Sequence, residues 1–309
     1  MAKKTAKLKM SFAKSETQAL KASIFMDKQG GVLSISTANT YRGCLKVFCD
    51  YIKERRLGDL MHATRVSATR FLESRSGEIE QKKLDQYKQA IQCFLRCTGA
   101  LGKDEKLENI KSTLVTKLEH RAYTHEQVRL VMEHQRPNAA LSTELALRCG
   151  LRAHEIYTLE RRSEKDPDKR FYPGTNIEKN LPSKFSGMGA GERYIVTGKG
   201  GLVREVFLPS DLAKKVEQHR LPEPRKITDR GIYYTQKYDL VGGQRLSSSF
   251  TSASKRVLGW STGLHGARHS YAQDRLRELT KKYSYDTAKE TVSQELGHFR
   301  ADITDAYLR

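Results

Sequence analysis

The chain has little that would direct it to a membrane or to an oxidising compartment. None of its 309 residues belongs to a run that approaches the roughly 18 uninterrupted apolar residues of a membrane-spanning helix. No apolar segment follows the N-terminal lysines, as one would in a secretory signal. Its five cysteines form no CxxC pair, and an odd number in a chain of this length is a poor framework for disulfides. The sequence therefore predicts a soluble, cytoplasmic protein.

Metal ligands at a recognisable spacing are also missing. The sequence has neither an HExxH motif nor a cluster of carboxylates, so a metal-dependent nuclease is disfavoured. Cys93 and Cys97 are one helical turn apart. This spacing is more typical of buried thiols on one helix face than of metal ligands. We expect neither a metal nor another cofactor.

What the chain has in excess is positive charge. It contains 56 Lys and Arg against 36 Asp and Glu, which gives a formal net charge of +20 and a pI near 9.7. The excess is shared evenly, because residues 1–112 and residues 113–309 each carry +10. Two separately basic parts favour a clamp around a long polyanion, and nucleic acid is the commonest such partner. A merely solvated surface is the alternative interpretation.

The distribution of proline divides the chain into two parts. All seven prolines lie at or after Pro137, so the first part is predicted to be continuous helical material and the second a mixture with turns. We predict a basic N-terminal arm over residues 1–14 and a helical DNA-binding domain over residues 15–112. A linker over residues 113–122 would lead into a second domain over residues 123–309.

Three helices are predicted in the first domain. From Thr37 apolar residues recur at spacings of three and four, which is typical of an amphipathic helix. Ser36 or Thr37 is its predicted N-cap. Two further helices are predicted over Arg65–Arg75 and Lys82–Cys97, the second from a continuous apolar face.

The second domain is predicted to combine helices with a β-hairpin. It would open with a helix that Thr124 caps, with Gln127 in the reciprocal position. A helix is expected again over residues 142–159, and a long loop or inserted hairpin over residues 161–191. Two β-branched runs around a Gly-rich turn predict a hairpin over residues 193–209, and the remaining chain is predicted to be mostly helical. The predicted fold class is mainly α with a small antiparallel β-sheet.

Four segments of the second domain hold polar residues that its helix and strand patterns do not require. In chain order they are GLRAHE, TGKGG, HGARH and LGHFRADITDAYLR. Together and in this order they resemble the signature of the tyrosine recombinase (phage integrase) family, which has an Arg in a GLRxxE helix, a Lys in a β-hairpin, an HxxRH box, an LGH and a following Tyr. The resemblance covers residues 121–309. The helical first part is similar in character to the core-binding domain that precedes the catalytic domain in that family.

The resemblance implies site-specific recombination of DNA and a role for each matching residue. Tyr307 would attack a DNA phosphodiester, forming a 3′-phosphotyrosine and a free 5′-hydroxyl, so that two reversible transesterifications need neither ATP nor metal. Arg152 and Arg268 would bind the non-bridging phosphate oxygens, since a guanidinium fork matches a phosphate in two hydrogen bonds. Lys199 would protonate the leaving 5′-oxygen.

Three histidines and one glutamate complete the site that the resemblance implies. His265 would assist the tyrosine or the phosphate in proton transfer. His298 would donate a hydrogen bond to a non-bridging oxygen. His269 is expected to be structural, orienting the helix of the HGARH box. Glu155 lies three residues after Arg152, hence on the same helix face, and would orient the site.

The partner implied by the resemblance is double-stranded DNA, on which the protein would assemble as a tetramer, and the protein would belong to a mobile genetic element. The two domains would close around the duplex as a clamp. A type IB topoisomerase or a telomere resolvase shares this chemistry and is the neighbouring alternative. A DNA-binding accessory protein that keeps the fold without the reaction is an alternative from a different class, and the complete set of polar residues argues against it.

Overall fold

The structure is a computed structural model in which the chain divides into two compact units, residues 1–117 and 118–309. The structure describes residues 13–32, 34–115, 120–168, 184–298 and 301–308. Most of the predicted basic arm, the middle of the predicted linker and half of the segment 161–191 lie outside the described residues.

The described part of the first unit contains four α-helices. They are α1 (Ser15–Lys28), α2 (Ile35–Glu54), α3 (Arg65–Arg75) and α4 (Gln81–Thr98), with a short 3₁₀ helix at Leu60–His62. Their apolar faces meet in one core, in which the Phe71 ring contacts the rings of Phe48, Tyr51 and Tyr87 at centroid distances of 5.1, 5.2 and 5.4 Å. Burial of this apolar surface is the main source of stability of the unit.

The predicted helices of this unit are confirmed, with one corrected start. α3 has the predicted bounds, and α4 extends the prediction by one residue at each end before Gly99 ends it at φ +79. α2 begins at Ile35, two residues before the predicted start. Its N-cap is Ser34, so the prediction of Ser36 or Thr37 was wrong. The Ser34 hydroxyl accepts a hydrogen bond from the Thr37 amide at 3.1 Å.

The two thiols predicted on one face of a helix lie on α4. Cys93 and Cys97 are free, and they are half-buried rather than buried. Both sulfur atoms lie against Gly31, whose carbonyl oxygen accepts a hydrogen bond from the Cys93 thiol at 3.3 Å. Within the described ranges, no group of three or more His, Cys, Asp or Glu side chains is placed to hold a metal ion.

In its described residues the second unit combines six α-helices with two small antiparallel sheets. The helices are α5 (His125–Glu133), α6 (Pro137–Cys149), α7 (Ser210–Glu217), α8 (Gly243–Leu258), α9 (His265–Leu279) and α10 (Tyr285–Glu295). The strands are β1 (Glu160–Arg161), β2 (Gly191–Thr197), β3 (Val203–Pro209), β4 (Arg220–Asp229) and β5 (Ile232–Tyr238). Short 3₁₀ helices lie at Glu155–Thr158, Lys199–Gly201 and Ala301–Tyr307.

The main core of this unit joins α5, α6, α7 and α8 to the buried faces of β2 and β3. Helices dominate both units, so the predicted fold class, mainly α with a small antiparallel sheet, is confirmed. In the part of the chain that the structure describes, every helix is too short or too polar to cross a membrane.

Of the first two helices of the second unit, α5 begins as predicted and α6 ends earlier than predicted. At α5 the predicted capping box is present, because the Thr124 hydroxyl accepts from the Gln127 amide at 3.1 Å and the Gln127 side chain accepts from the Thr124 amide at 2.9 Å. α6 ends earlier than predicted, at Cys149, since Gly150 adopts φ +63. A Cβ at Gly150 would lie 2.7 Å from the Tyr271 ring, so packing also requires glycine there.

The early end of α6 corrects the predicted setting of Arg152 and Glu155. The two residues do not share a helix face, because the left-handed backbone at Gly150 stops the helix before them. Arg152 instead precedes a turn at residues 153–154, and Glu155 is the first residue of the 3₁₀ helix at Glu155–Thr158.

The first sheet contains the predicted hairpin. Its strand order is β1-β2-β3, and β2 pairs with β3 in antiparallel register along its whole length. The turn between the two strands is the 3₁₀ turn at Lys199–Gly201, in which Gly200 and Gly201 have φ +73 and +76. Glycine adopts such angles without steric cost, which explains the Gly-rich sequence of the turn.

A second hairpin, formed by β4 and β5, occupies a region that was predicted to be mostly helical. Asp229 pairs with Ile232, and the two residues between them, Arg230 and Gly231, both have positive φ. Two-residue turns of this kind match the twist of antiparallel strands. The Asp229 carboxylate also accepts a hydrogen bond from the Gln244 amide at the start of α8, at 3.1 Å, and so fixes the hairpin tip to that helix.

Candidate active site

Tyr307 lies at the centre of a group of predicted site residues. Its side chain is buried, with 7% of its surface exposed. The Tyr307 ring centroid is 5.2 Å from that of His265, 4.6 Å from that of His269 and 4.9 Å from that of His298. The guanidinium carbon of Arg268 lies 5.6 Å from the same centroid. Residues separated by up to 42 positions in the sequence therefore surround one phenol.

The side chains of His265 and His269 come from the start of α9. His265 and His269 are one helical turn apart, so they project from the same face of α9 towards Tyr307. Further along the helix, the side-chain amide of Gln273 donates a hydrogen bond to the backbone carbonyl of Tyr307 at 3.3 Å. This bond holds the last 3₁₀ helix against α9. His269 was expected only to orient the helix, yet of the three histidine rings it lies nearest to Tyr307 and stacks on it.

Arg268 is completely buried beneath the tyrosine. One of its terminal nitrogens donates to the Gly150 carbonyl and the other to the Leu296 carbonyl, while its Nε has no hydrogen-bond partner among the described residues. Burial, followed by the charge of Arg152, lowers the pKa of Arg268 to about 9, so the guanidinium stays charged at neutral pH. The site therefore contains a desolvated cation next to the phenol.

Arg152 is held beside this cation by Glu155. Both carboxylate oxygens of Glu155 are used, one accepting from Arg152 Nη1 and the other from the Arg152 amide, each at 2.8 Å. Glu155 is fully buried, whereas the Arg152 side chain is 21% exposed. Burial alone would raise the pKa of Glu155, but the guanidinium groups of Arg204, Arg268 and Arg152 hold it well below its usual range. The carboxylate is therefore ionised and orients Arg152.

Arg204, on β3, was not among the residues predicted from the sequence. It is 4% exposed, and its Nη2 donates to Glu155 at 2.7 Å. A signal was present in the strand pattern, because Arg204, Val206 and Leu208 alternate along β3 and the other two are fully buried. A charged residue on the apolar face of a strand indicates a buried ion pair.

The three histidines around Tyr307 are neutral at pH 7. Desolvation, reinforced by nearby arginines, lowers the pKa of His269 to about 4 and that of His298 to about 3, and both side chains are buried. The same causes lower the pKa of His265 to about 4, although this residue is exposed at the surface. Since Arg268 can only donate, His298 Nε2 accepts from its Nη2 at 3.4 Å, and the Nδ1 proton is left to donate to Thr304 at 3.2 Å. In this state His298 Nε2 is a hydrogen-bond acceptor, and its donation to a phosphate oxygen stays a prediction.

The backbone of Lys199 lies in the hairpin turn at the edge of this group, and its side chain lies outside what the structure describes. The turn is close to the arginines. A Cβ built on Gly198, the residue before Lys199, would lie 3.1 Å from Glu155 Oε1 and 3.8 Å from Arg152 Nη1. The turn thus approaches the Arg152–Glu155 pair with no intervening side chain at Gly198.

Comparisons with known proteins agree with this arrangement at the level of the fold. Neither the protein-family models nor the curated proteins include a match. Among solved structures, XerH site-specific recombinase bound to its difH substrate before cleavage matches with a TM-score of 0.55 and 14% identity, over 98% of this chain and 95% of that chain. Its post-cleavage complex with a palindromic difH substrate matches with a TM-score of 0.54 and 16% identity, over 96% and 93%.

A structure of a second protein gives the same result. A lambda integrase dimer bound to a COC′ core site matches with a TM-score of 0.56 and 14% identity, over 97% of this chain and 96% of that chain. These matches extend over nearly the whole of both chains, although few residues are identical. The chain has the tyrosine recombinase fold.

Proposed function

We propose that this protein is a site-specific DNA recombinase that cuts and rejoins DNA through a 3′-phosphotyrosine intermediate. The observation that carries the proposal is the position of the Tyr307 phenol among three neutral imidazoles and above the buried guanidinium of Arg268. A phenol in such surroundings has a proton acceptor and a cation beside it. These are the two groups that an attack on a phosphodiester needs.

The proposed cleavage step balances its atoms with residues of this chain alone. The Tyr307 oxygen attacks phosphorus, its proton passes to a neutral imidazole, for which His265 is the proposed acceptor, and the bond to the 5′-oxygen breaks. Lys199 would supply the proton that the leaving oxygen takes. Rejoining is the reverse reaction, in which a 5′-hydroxyl attacks the phosphotyrosine.

Arg152 and Arg268 are the proposed ligands of the non-bridging oxygens. Charge grows on these oxygens in the transition state, and cations that are already oriented and desolvated stabilise it more than the ground state. His298 would donate to one of the oxygens from Nε2, which requires the other tautomer. The hydroxyl of Thr304, beside Nδ1, suits both tautomers because it can donate as well as accept.

Double-stranded DNA is the proposed substrate and partner. The net charge of +20 supports this proposal, and XerH and lambda integrase are described in complexes with DNA sites. In this proposal residues 15–112 bind DNA and residues 123–309 carry the reaction, with four copies assembled on two duplexes. The protein would act in the cytoplasm, associated with DNA, as the recombinase of a mobile genetic element.

Covalent trapping on DNA tests the reaction. A duplex that the protein binds is first selected from a randomised library, and nicks are then introduced at successive positions so that cleavage releases a short strand and cannot be reversed. The wild-type protein should form a covalent adduct that survives denaturing electrophoresis and the presence of EDTA. Tyr307→Phe should abolish the adduct, because it removes the attacking oxygen. Tyr285→Phe, at a tyrosine that is 54% exposed, is the matched control and should keep the adduct.

The other outcomes identify the alternatives. An adduct that persists in Tyr307→Phe contradicts the assignment of the nucleophile. Tight binding without an adduct at any nick position supports an accessory DNA-binding protein. Relaxation of supercoiled DNA without dependence on the selected sequence supports a type IB topoisomerase.

A further inference from the structure

Arg204 is a buried cation to which the proposed reaction assigns no role. It lies on β3, five residues after Lys199 in the same hairpin, and its side chain is 3% exposed. Taking a guanidinium out of water is costly unless every part of it is paired. The hydrogen-bond partners of the buried Arg204 side chain therefore indicate its role.

These partners belong to two other segments of the site. Arg204 Nη2 donates to Glu155 Oε2 at 2.7 Å and to the Gly150 carbonyl at 3.3 Å, and its Nε lies 3.4 Å from Glu155 Oε1. Its Nη1 donates to the Glu295 carbonyl at 2.7 Å. The Arg204 stem also lies against Gly297, where a Cβ would come within 2.5 Å of Arg204 Cδ.

Each partner is next to a residue of the proposed machinery. Glu155 orients Arg152, and Gly150 also accepts from Arg268. Glu295 is the last residue of α10 and Gly297 directly precedes His298. One planar guanidinium thus connects the hairpin that contains Lys199, the segment that contains Arg152 and the segment that contains His298. A lysine ammonium could not form all of these hydrogen bonds at once, because its donors are not spread over a plane.

We propose that Arg204 is a positioning residue, which holds these three segments in the geometry that the cleavage step requires and acts on Arg152 through Glu155. This inference rests on the proposed function, because it concerns the rate of the same reaction. Arg204 itself is too deeply buried to contact DNA. Its loss should therefore slow the chemistry while leaving the affinity for DNA largely intact.

The test measures binding and chemistry separately on the selected, nicked duplex. For Arg204→Met we expect the single-turnover rate of adduct formation at saturating protein to fall about 100-fold, the effect of a misplacement of about 1 Å. The apparent Kd for the duplex should stay within about threefold of the wild type, because the phosphate contacts that dominate affinity are elsewhere. Arg204→Lys keeps the charge but not the planar set of hydrogen-bond donors, and should react about tenfold faster than Arg204→Met.

The matched control is Arg148→Met. Arg148 also pairs with two carboxylates of the same unit, Glu144 and Asp211, but contacts none of the proposed site residues. Its loss should leave the rate of adduct formation within about twofold of the wild type. A general loss of stability would slow both arginine variants, whereas a positioning role slows only Arg204→Met.

A double variant keeps the inference testable if Arg204→Met fails to fold. Glu155→Gln with Arg204→Met removes both charges of the pair, which leaves no uncompensated carboxylate behind. If Arg204 acts through Glu155, the double variant should react about as slowly as Glu155→Gln alone. If instead the rate losses of the two single substitutions multiply in the double variant, Arg204 does not act through Glu155.

The outcomes separate this inference from the proposed function. A wild-type protein without an adduct contradicts the proposed function, and the inference falls with it. A wild-type protein that reacts, with Arg204→Met at the same rate, overturns the inference alone. A parallel loss of affinity and rate in Arg204→Met would also overturn it, because binding and not positioning would then be impaired.

Discussion

The two units of the molecule bury different kinds of side chain. In the described part of the first unit, the buried polar residues are mostly small or amide side chains, and Asp59 is the one buried charge. The second unit buries five ionic side chains within its described residues. They are Glu155, Arg204, Arg268, Arg275 and Glu295.

This difference indicates that the interior of the first unit stabilises the fold, whereas that of the second also holds charged groups in place. Apolar packing stabilises the first unit, whereas buried ions are a poor source of stability because their desolvation offsets their attraction. In the second unit Arg275 and Glu295 form a balanced pair, but Glu155 faces three guanidinium groups and leaves positive charge in excess. A surplus of desolvated positive charge favours the binding of an anion over the stability of the fold.

The largest expected effect comes from removing part of that surplus. Arg268→Met should slow adduct formation about 1000-fold, because an oriented cation stabilises the transition state. The free energy of unfolding should change by less than about 2 kcal/mol, since Glu155 keeps two guanidinium partners. Single-turnover kinetics and denaturant unfolding measure the two quantities.

The matched variant in the first unit is Phe71→Ala, which deletes the ring at the centre of the aromatic core. It should cost about 3–5 kcal/mol of stability in that unit. If Arg268→Met destabilises its unit as much as Phe71→Ala destabilises the first, the contrast between the units is wrong.

A smaller difference between the stabilities of the two units should appear as the pH falls. The pKa values of His265 and His269 are lowered to about 4 and that of His298 to about 3 in the folded state, whereas an unfolded histidine titrates near pH 6.5. Below about pH 6.5 the unfolded chain therefore binds protons that the folded chain does not. The second unit should lose up to about 1.4 kcal/mol per pH unit for each of the buried residues His269 and His298 between pH 6.5 and 4, and less for His265, because that residue is exposed and solvent screens its charge.

The first unit is the internal reference for this experiment, because His62, its one histidine in the described ranges, is exposed. Hydrogen exchange at pH 7 and pH 5 reports the stability of each unit in the same sample. Equal loss of protection in both units would contradict the prediction.

The smallest expected effects are equal in the two units. Within the described residues each unit contains one capping box, formed by Thr64 with Ser67 before α3 and by Thr124 with Gln127 before α5. Thr64→Ala and Thr124→Ala should each cost about 1 kcal/mol in the unit concerned, and the corresponding Ser variants should restore most of it. Denaturant unfolding measures the losses, and a large difference between the two Ala variants would show that the caps depend on their surroundings.

Local signals were sufficient for much of the fold. The spacing of apolar residues predicted α2 and α4, and the pair Thr124 and Gln127 predicted the start of α5, because these features act within one or two helical turns. The helix α1 was not predicted, and its apolar pattern is weak. The hairpin of β4 and β5 was missed because Asp229, which secures its tip, finds its partner Gln244 in the following helix.

The candidate site divides in the same way. The order of the motifs led to Tyr307, His265, His298 and Arg268, which the fold brings together. The sequence placed Arg152 on a helix, because nothing local shows that Gly150 ends α6 against the ring of Tyr271. Arg204 was missed for a similar reason, since its partner Glu155 is 49 residues away in the chain.

The carbonyl groups around the buried arginines have a consequence for their electrostatics. Gly150 is the C-cap of α6, and Glu295 and Leu296 end and cap α10. Two helix C-termini, which carry the negative ends of their macrodipoles, thus point at Arg204 and Arg268. Partial charges of this kind make it possible to bury a guanidinium without neutralising it as a carboxylate would. The end of each helix holds a guanidinium in place without cancelling its charge, as the proposed contact of Arg268 with a phosphate would require.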